Sequence, residues 1–208
     1  MNSSKQQILK SALSAFIRYG YQGTSLSDLC EATGFTKGAI YHHFKGKDDI
    51  YRQALDSFFQ YPSLPGWLEE EYDHLSERLK AGFTNIESSK EWINSRVGTG
   101  EDNAILQFYG FLYEATRRFP QYQKALDLYD DEKHRRLSKS ISRAQEQNEI
   151  RGDLDPLLLA IEIDALLQQL IYLRFVNPRI KANPGLIMDI FQNYWIRLIP
   201  KNQEKTNV

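Results

Sequence analysis

The chain has 208 residues, of which 41% are hydrophobic and 25% charged, with a formal net charge of −1. That balance is typical of globular chains and excludes wholesale disorder, a collagen-like repeat and a membrane bundle. The length allows one large domain or two small ones, with a core that needs no disulfide or metal to fold.

Nearly every segment reads as helix, and no clear run of period-two alternation marks a strand. The first helix is expected from Ser4, where Ser4-Lys5-Gln6-Gln7 has the form of a capping box. Ile8, Leu9, Ala12, Leu13, Ala15, Phe16 and Tyr19 follow at helical spacing, and Gly20 stands where a helix-ending glycine belongs. Lys10 and Ser11 interrupt the early apolar positions, so no signal-peptide core is expected. Ser25-Leu26-Ser27-Asp28 opens a short helix through about Thr33, and Gly34 breaks it. Thr36 can cap a third helix, Lys37 to Phe44. A longer helix runs from Lys47 to about Gln60, with Asp48 and Asp49 in its first turn, where the helix dipole favours acids.

Tyr61 to Gly66 marks a break, and a body follows. Trp67, Leu68, Tyr72, Leu75, Leu79, Phe83 and Ile86 are spaced as one amphipathic helix. Residues 87–102 are ambiguous, with Gly98 and Gly100 suggesting a loop after a helical turn. Further helices are expected at 103–118, from Pro120 to about Asn148, from Asp155-Pro156 to about Phe175, and from Pro184 to Ile199. The most apolar stretch, Leu157 to Val176, carries Glu162, Asp164 and Arg174, which argues against a membrane span. The class is therefore all-α. A helix-turn-helix head is expected over 1–47, a helical body over 48–200 and a frayed tail over 201–208.

Charge is uneven along the chain. Residues 1–52 hold seven Lys or Arg against four Asp or Glu, while the remainder is slightly acidic. A basic head suits an anionic partner. Two short helices around a glycine turn, braced by longer helices, have the layout of a helix-turn-helix. The second helix of such a pair enters the major groove with its N-terminal end foremost. Here that end is Thr36-Lys37-Gly38-Ala39, with Tyr41 and His42 one turn on and Lys45 and Lys47 beyond. Lys37 offers charge to phosphate or guanine, and Gly38 and Ala39 let the backbone come close.

Gly20-Tyr21, Thr24-Ser25-Leu26, Asp28-Leu29, Ala32, the run Gly34 to Phe44 and Lys47-Asp48-Asp49-Ile50 resemble the DNA-binding head of the tetracycline-repressor (TetR) family. The resemblance covers roughly the first 55 residues; the rest of the chain matches no motif. It implies a homodimeric transcriptional regulator, usually a repressor, that binds palindromic double-stranded DNA and is released by a small molecule. A ligand-independent regulator, or an activator, stays open beside that reading. Phosphate contacts carry over to Ser25, Thr36, Lys37, Tyr41 and Lys47, and base contacts to Lys37, Gly38, Tyr41 and His42. Lys45 is an additional candidate, whereas Leu26 replaces a polar residue found in some members and is assigned no contact.

The body offers compositional candidates. Phe108, Phe111, Asp164, Gln168 and Tyr172 are candidates for an effector pocket, since pockets are apolar with a few polar groups. Most such aromatics are ordinary core. Asp164 with Gln168, and Glu162 with Gln169, can orient a ligand, a cationic one suiting the acid. They can equally bridge a dimer interface, which is the favoured reading. Leu158, Glu162, Leu186, Ile190 and Tyr194 are candidates for that interface, where two helices from each subunit would form a four-helix bundle. The run Asp130 to Arg136 reads as a solvated helix face, and Cys30 as a small buried residue, its solitude fitting an intracellular, cytoplasmic protein. No nucleophile elbow, phosphate loop, zinc motif or dinucleotide fingerprint appears, so no enzyme, metal or cofactor is expected.

Overall fold

The computed structural model describes residues 3–59, 64–97 and 104–200. Those residues form helices with no strand among them: α1 (Ser3–Tyr19), α2 (Leu26–Thr33), α3 (Lys37–His43), α4 (Lys47–Phe59), α5 (Gly66–Glu69), α6 (Leu75–Thr84), α7 (Ile86–Val97), α8 (Ala104–Arg118), α9 (Pro120–Glu146), α10 (Pro156–Val176), α11 (Pro178–Ala182) and α12 (Gly185–Leu198). The expected loop at Gly98 and Gly100, residues 61–63 of the expected Tyr61 to Gly66 break and the 201–208 tail lie outside the described residues.

The chain divides into two compact units, one of residues 1–62 and 91–126, the other of 63–90 and 127–208. In the first, α1 packs on α2, α4 and α8. Ile8, Ala12, Phe16, Leu29, Ile40, Phe44, Ile50, Tyr51 and Leu55 are fully buried or nearly so. The boundary expected from sequence after residue 47 was drawn to set the expected DNA-contacting head apart from the body. The compact unit is larger, because α4 and α8 bury their apolar faces with α1.

The second unit has its own core. Trp67, Leu75, Leu79, Phe83, Leu137, Ile141, Leu159, Ile163, Leu167, Ile187 and Phe191 belong to one buried cluster drawn from α5, α6, α9, α10 and α12. The expected single helix from Trp67 to Ile86 is instead broken at 70–74 into α5 and α6, and Ile86 opens α7. Glu69, Glu70, Glu71 and Asp73 crowd like charges there. The Glu149 carboxylate accepts the first amides of α6, from Leu75 and Ser76, each at 2.8 Å. Arg78 turns back to donate to the carbonyls of Trp67 at 2.8 Å and Glu70 at 2.9 Å, satisfying the end of α5. Residues 87–97, within the stretch 87–102 read as ambiguous, are helical.

Helix α11 was not anticipated. Its signal is the Asn177-Pro178 pair: Asn177 accepts the amides of Arg179 and Ile180. Asp155-Pro156 starts α10 by the same logic, Asp155 accepting from Leu157 and Leu158 at 2.9 Å.

The 130–136 run is only half as expected. Arg135 and Arg136 hydrogen-bond Glu132 on the surface and hold its carboxyl at about 2. Lys133, however, is 6% exposed. Its Nζ lies 2.8 Å from Asp164 and 2.9 Å from Asp130. Burial disfavours the charge on Lys133, but the Asp164 carboxylate outweighs it and the net shift is upward. The Asp164 Oδ2 also meets His134 Nε2 at 3.1 Å and accepts from Gln168 at 3.0 Å. The carboxylate expected to bridge between subunits is thus neutralised within its own chain, by the preceding helix.

Candidate nucleic-acid interface

Local chemistry builds the α2–α3 pair. Ser25 accepts the Asp28 amide at 3.1 Å, and Asp28 accepts the Ser25 amide at 2.7 Å, completing a capping box. Gly34 ends α2 at φ +73°, a left-handed conformation that residues with a Cβ rarely adopt. Thr36 caps α3 by accepting the Ala39 amide at 3.3 Å. In both caps the hydroxyl oxygen is the acceptor, so its proton remains available to a phosphate oxygen. Ser25 and Thr36 are exposed.

Helix α3 buries Ile40 and presents the opposite side. Lys37, Gly38, Tyr41 and His42 are all exposed, Tyr41 to 55%. A Cβ placed on Gly38 would meet nothing nearer than the Thr36 Oγ1 at 4.0 Å. The fold therefore does not require glycine at this position. The His42 ring lies 5.0 Å from His43, which turns toward Phe44 and is half-buried.

Lys45 is exposed, and its amide donates to Asp49 Oδ2 at 2.8 Å. Gln53 donates to the other Asp49 oxygen at 2.8 Å. The Lys45 amide, then Gln53, hold the Asp49 carboxyl below its ordinary value. A carboxyl with a depressed native pKa stabilises above its unfolded pKa, about 4, and loses that contribution as pH falls through the native value. We expect Asp49→Asn to be less stable than the parent at neutral pH. The gap should close below about pH 4, as read from melting temperatures across pH. A gap that persists at low pH would exclude this origin.

Lys47 is an expected contact whose ammonium is already engaged. Its Nζ donates to the Tyr21 carbonyl at 2.9 Å and lies 4.0 Å from the Tyr21 ring centroid. The Tyr21 hydroxyl donates to Asp48. Burial, then Asp48, raise the Tyr21 pKa and keep it protonated as a donor.

The remaining candidates lie elsewhere. Phe108 and Phe111 are buried in the first unit, 5.6 and 5.8 Å from Phe58. Asp164, Gln168 and Tyr172 belong to the second unit, where Gln168 and Tyr172 are exposed. Leu158 and Glu162 are exposed on α10, while Leu186, Ile190 and Tyr194 on α12 are half-buried. Cys30 is half-buried rather than buried. Among the described residues no group of three or more His, Cys, Asp or Glu is placed to hold a metal.

Residues 8–54 match the family model described as "Bacterial regulatory proteins, tetR family". Over that segment, the chain is similar to the tetR family. Among curated relatives, the HTH-type transcriptional repressor AcnR of Corynebacterium glutamicum is 34% identical over 91 residues, covering 38% of this chain and 48% of AcnR. The biofilm operon icaADBC negative transcriptional regulator IcaR of Staphylococcus epidermidis is 33% identical over 57 residues, covering 27% of this chain and 31% of IcaR. The chain thus spans less than half the length of these two relatives. Among solved structures, MexZ of Pseudomonas aeruginosa shares the fold with a TM-score of 0.68 and 21% identity, over 97% of each chain. The matched segment, 8–54, contains α2, α3 and the start of α4.

Proposed function

We propose that this protein is a transcriptional repressor that binds a palindromic operator as a homodimer and leaves it when a small molecule binds. The observation that carries the DNA-binding part is the outward face of α3, where Lys37, Gly38, Tyr41 and His42 stand exposed in a tetR-family head. Lys37 and Tyr41 reach phosphate or base edges, His42 a base edge, and Gly38 admits the duplex. Ser25, Thr36 and Lys45 position the head on the backbone, with Lys47 at the start of α4.

The dimer reading rests on α10 and α12. By length and composition alone α10 is apolar enough to cross a membrane. Its second face nevertheless stays outside the core of the chain: Leu157, Leu158 and Ile161 are exposed, as is Ile196 on α12. We assign that face to a second copy, with Leu158, Glu162, Leu186, Ile190 and Tyr194 at the seam. A dimer sets two recognition helices to read successive major grooves, roughly 34–36 Å apart.

The inducer reading rests on polar groups inside apolar α10. Gln168 and Tyr172 are its exposed members, and Lys133 already balances Asp164, so an effector there need not be cationic. Phe108 and Phe111 are kept as apolar candidates in the first unit. An effector acts only through its different affinity for the DNA-bound and released states. An operator for a partner places the protein in the cytoplasm.

The experiment is selection of genomic fragments by the purified protein, followed by sequencing. The expected result is enrichment of one palindromic site. Absence of enrichment at moderate salt, from protein freed of bound ligand by refolding, would overturn the reading.

A further inference from the structure

Two side chains far beyond the matched head segment reach into it. The Glu114 carboxylate of α8 accepts the Tyr21 amide at 3.0 Å. One turn on, the Arg118 guanidinium lies 3.8 Å from the Tyr21 ring centroid. The Lys47 ammonium lies 4.0 Å from that same centroid and donates to the Tyr21 carbonyl. The Tyr21 hydroxyl donates to Asp48, whose carboxylate is 4.0 Å from Arg118. Arg118 is also 4.0 Å from Glu114. The amide, carbonyl, ring and hydroxyl of one residue are thus each engaged, by two acids and two bases.

We infer that Glu114 and Arg118 are positioning residues for the DNA-facing start of α4, acting through Tyr21 to set where the Lys47 ammonium sits. The inference rests on the DNA-binding reading above. A lysine head group on a four-carbon stem is otherwise free to wander, and fixing it beforehand lowers the entropy lost on binding. Charge balance supplies the second reason. The four groups sum to zero; without Arg118 the acids Asp48 and Glu114 outnumber Lys47 and draw its ammonium away from phosphate. Neither α8 residue needs to touch DNA.

The test uses the full chain and the highest-ranked duplex from the genomic selection, with affinity measured across a salt series. Lys47→Met is expected to reduce the slope of log affinity against log salt by about 0.9 for each phosphate that the ammonium no longer neutralises. Arg118→Gln is expected to weaken binding about tenfold and to reduce the slope equally, while the double variant Lys47→Met/Arg118→Gln binds no worse than Lys47→Met alone. Arg118→Lys, which keeps a cation at the ring, should restore most of the affinity. Glu114→Ala is the sharper variant. It makes the head more positive, so a bulk charge effect would tighten binding, whereas loss of positioning weakens it.

Additive effects in the double variant, an unchanged slope in Arg118→Gln or in Lys47→Met, or tighter binding by Glu114→Ala would each overturn the inference. Should Arg118→Gln fail to fold, Glu114→Ala and Arg118→Lys decide. Failure of the wild-type chain to select any duplex sinks the DNA-binding reading itself, which is a separate result.

Discussion

Tyr41→Ala weakens binding to the selected operator by about 30- to 1000-fold and leaves the melting temperature unchanged. The size follows from the proposed dimer losing one DNA-facing group from each subunit, at about 1–2 kcal/mol apiece. The unchanged stability follows from exposure: more than half of Tyr41 faces solvent, while its neighbour Ile40 carries the packing. Ile40→Ala should do the opposite, costing about 2–5 kcal/mol of stability as a buried truncation. Binding titrations and melts on the two variants check the separation. Equal affinity for Tyr41→Ala and the parent would remove Tyr41 from the interface. A matching drop in melting temperature would make it a packing residue.

The largest stability effect is expected in the second unit. Asp164→Ala strips the shared acceptor from Lys133, His134 and Gln168. Lys133 is then left buried with Asp130 alone. Breaking a buried pair from one side costs about 3–5 kcal/mol, and the surviving Asp130 contact reduces that to about 2–4. For a chain of this size the melting temperature falls by roughly 5–15 °C at fixed protein concentration. Replacing both partners, Lys133→Met with Asp164→Leu, should recover most of the loss, because the desolvation cost leaves with the charges. A fall of under about 2 °C in Asp164→Ala would mean that water already solvates Lys133 in the folded chain.

Much of the head was legible because its signals are local. Ser25 and Asp28 cap each other across three residues, Gly34 supplies a left-handed turn, and Thr36 caps α3. Each device works within one helical turn, so neighbours in sequence suffice to read it. The exposure of Lys37, Tyr41 and His42 follows from the same periodicity, since Ile40 takes the inward side. Asp155-Pro156 opened α10 as expected, and Asn177-Pro178 carried the same signal for α11 without being read.

The misreadings share one cause. The break between α5 and α6 is held by Glu149 and Arg78, and Glu149 is more than sixty residues from the helix start that it caps. Lys133 sits in a run of seven ionisable residues and looked solvated, yet α10 covers it. Lys47, expected at phosphate, has its ammonium held by Tyr21, a contact that the sequence does not mark. A charged side chain carries no mark in sequence of whether it will meet water or a distant partner.

By itself, the sequence determined the all-helical class, most helix boundaries, the capping of α2 and α3 and the outward face of α3. All of these arise from backbone hydrogen bonding and side-chain spacing over a few residues. Only the tertiary structure decided which ionised groups are paired. The decisive contacts, Glu114 and Arg118 with Tyr21, Asp164 with Lys133 and Glu149 with the start of α6, join residues 30 or more positions apart. Their energies depend on burial and distance, quantities that exist only once the chain has folded.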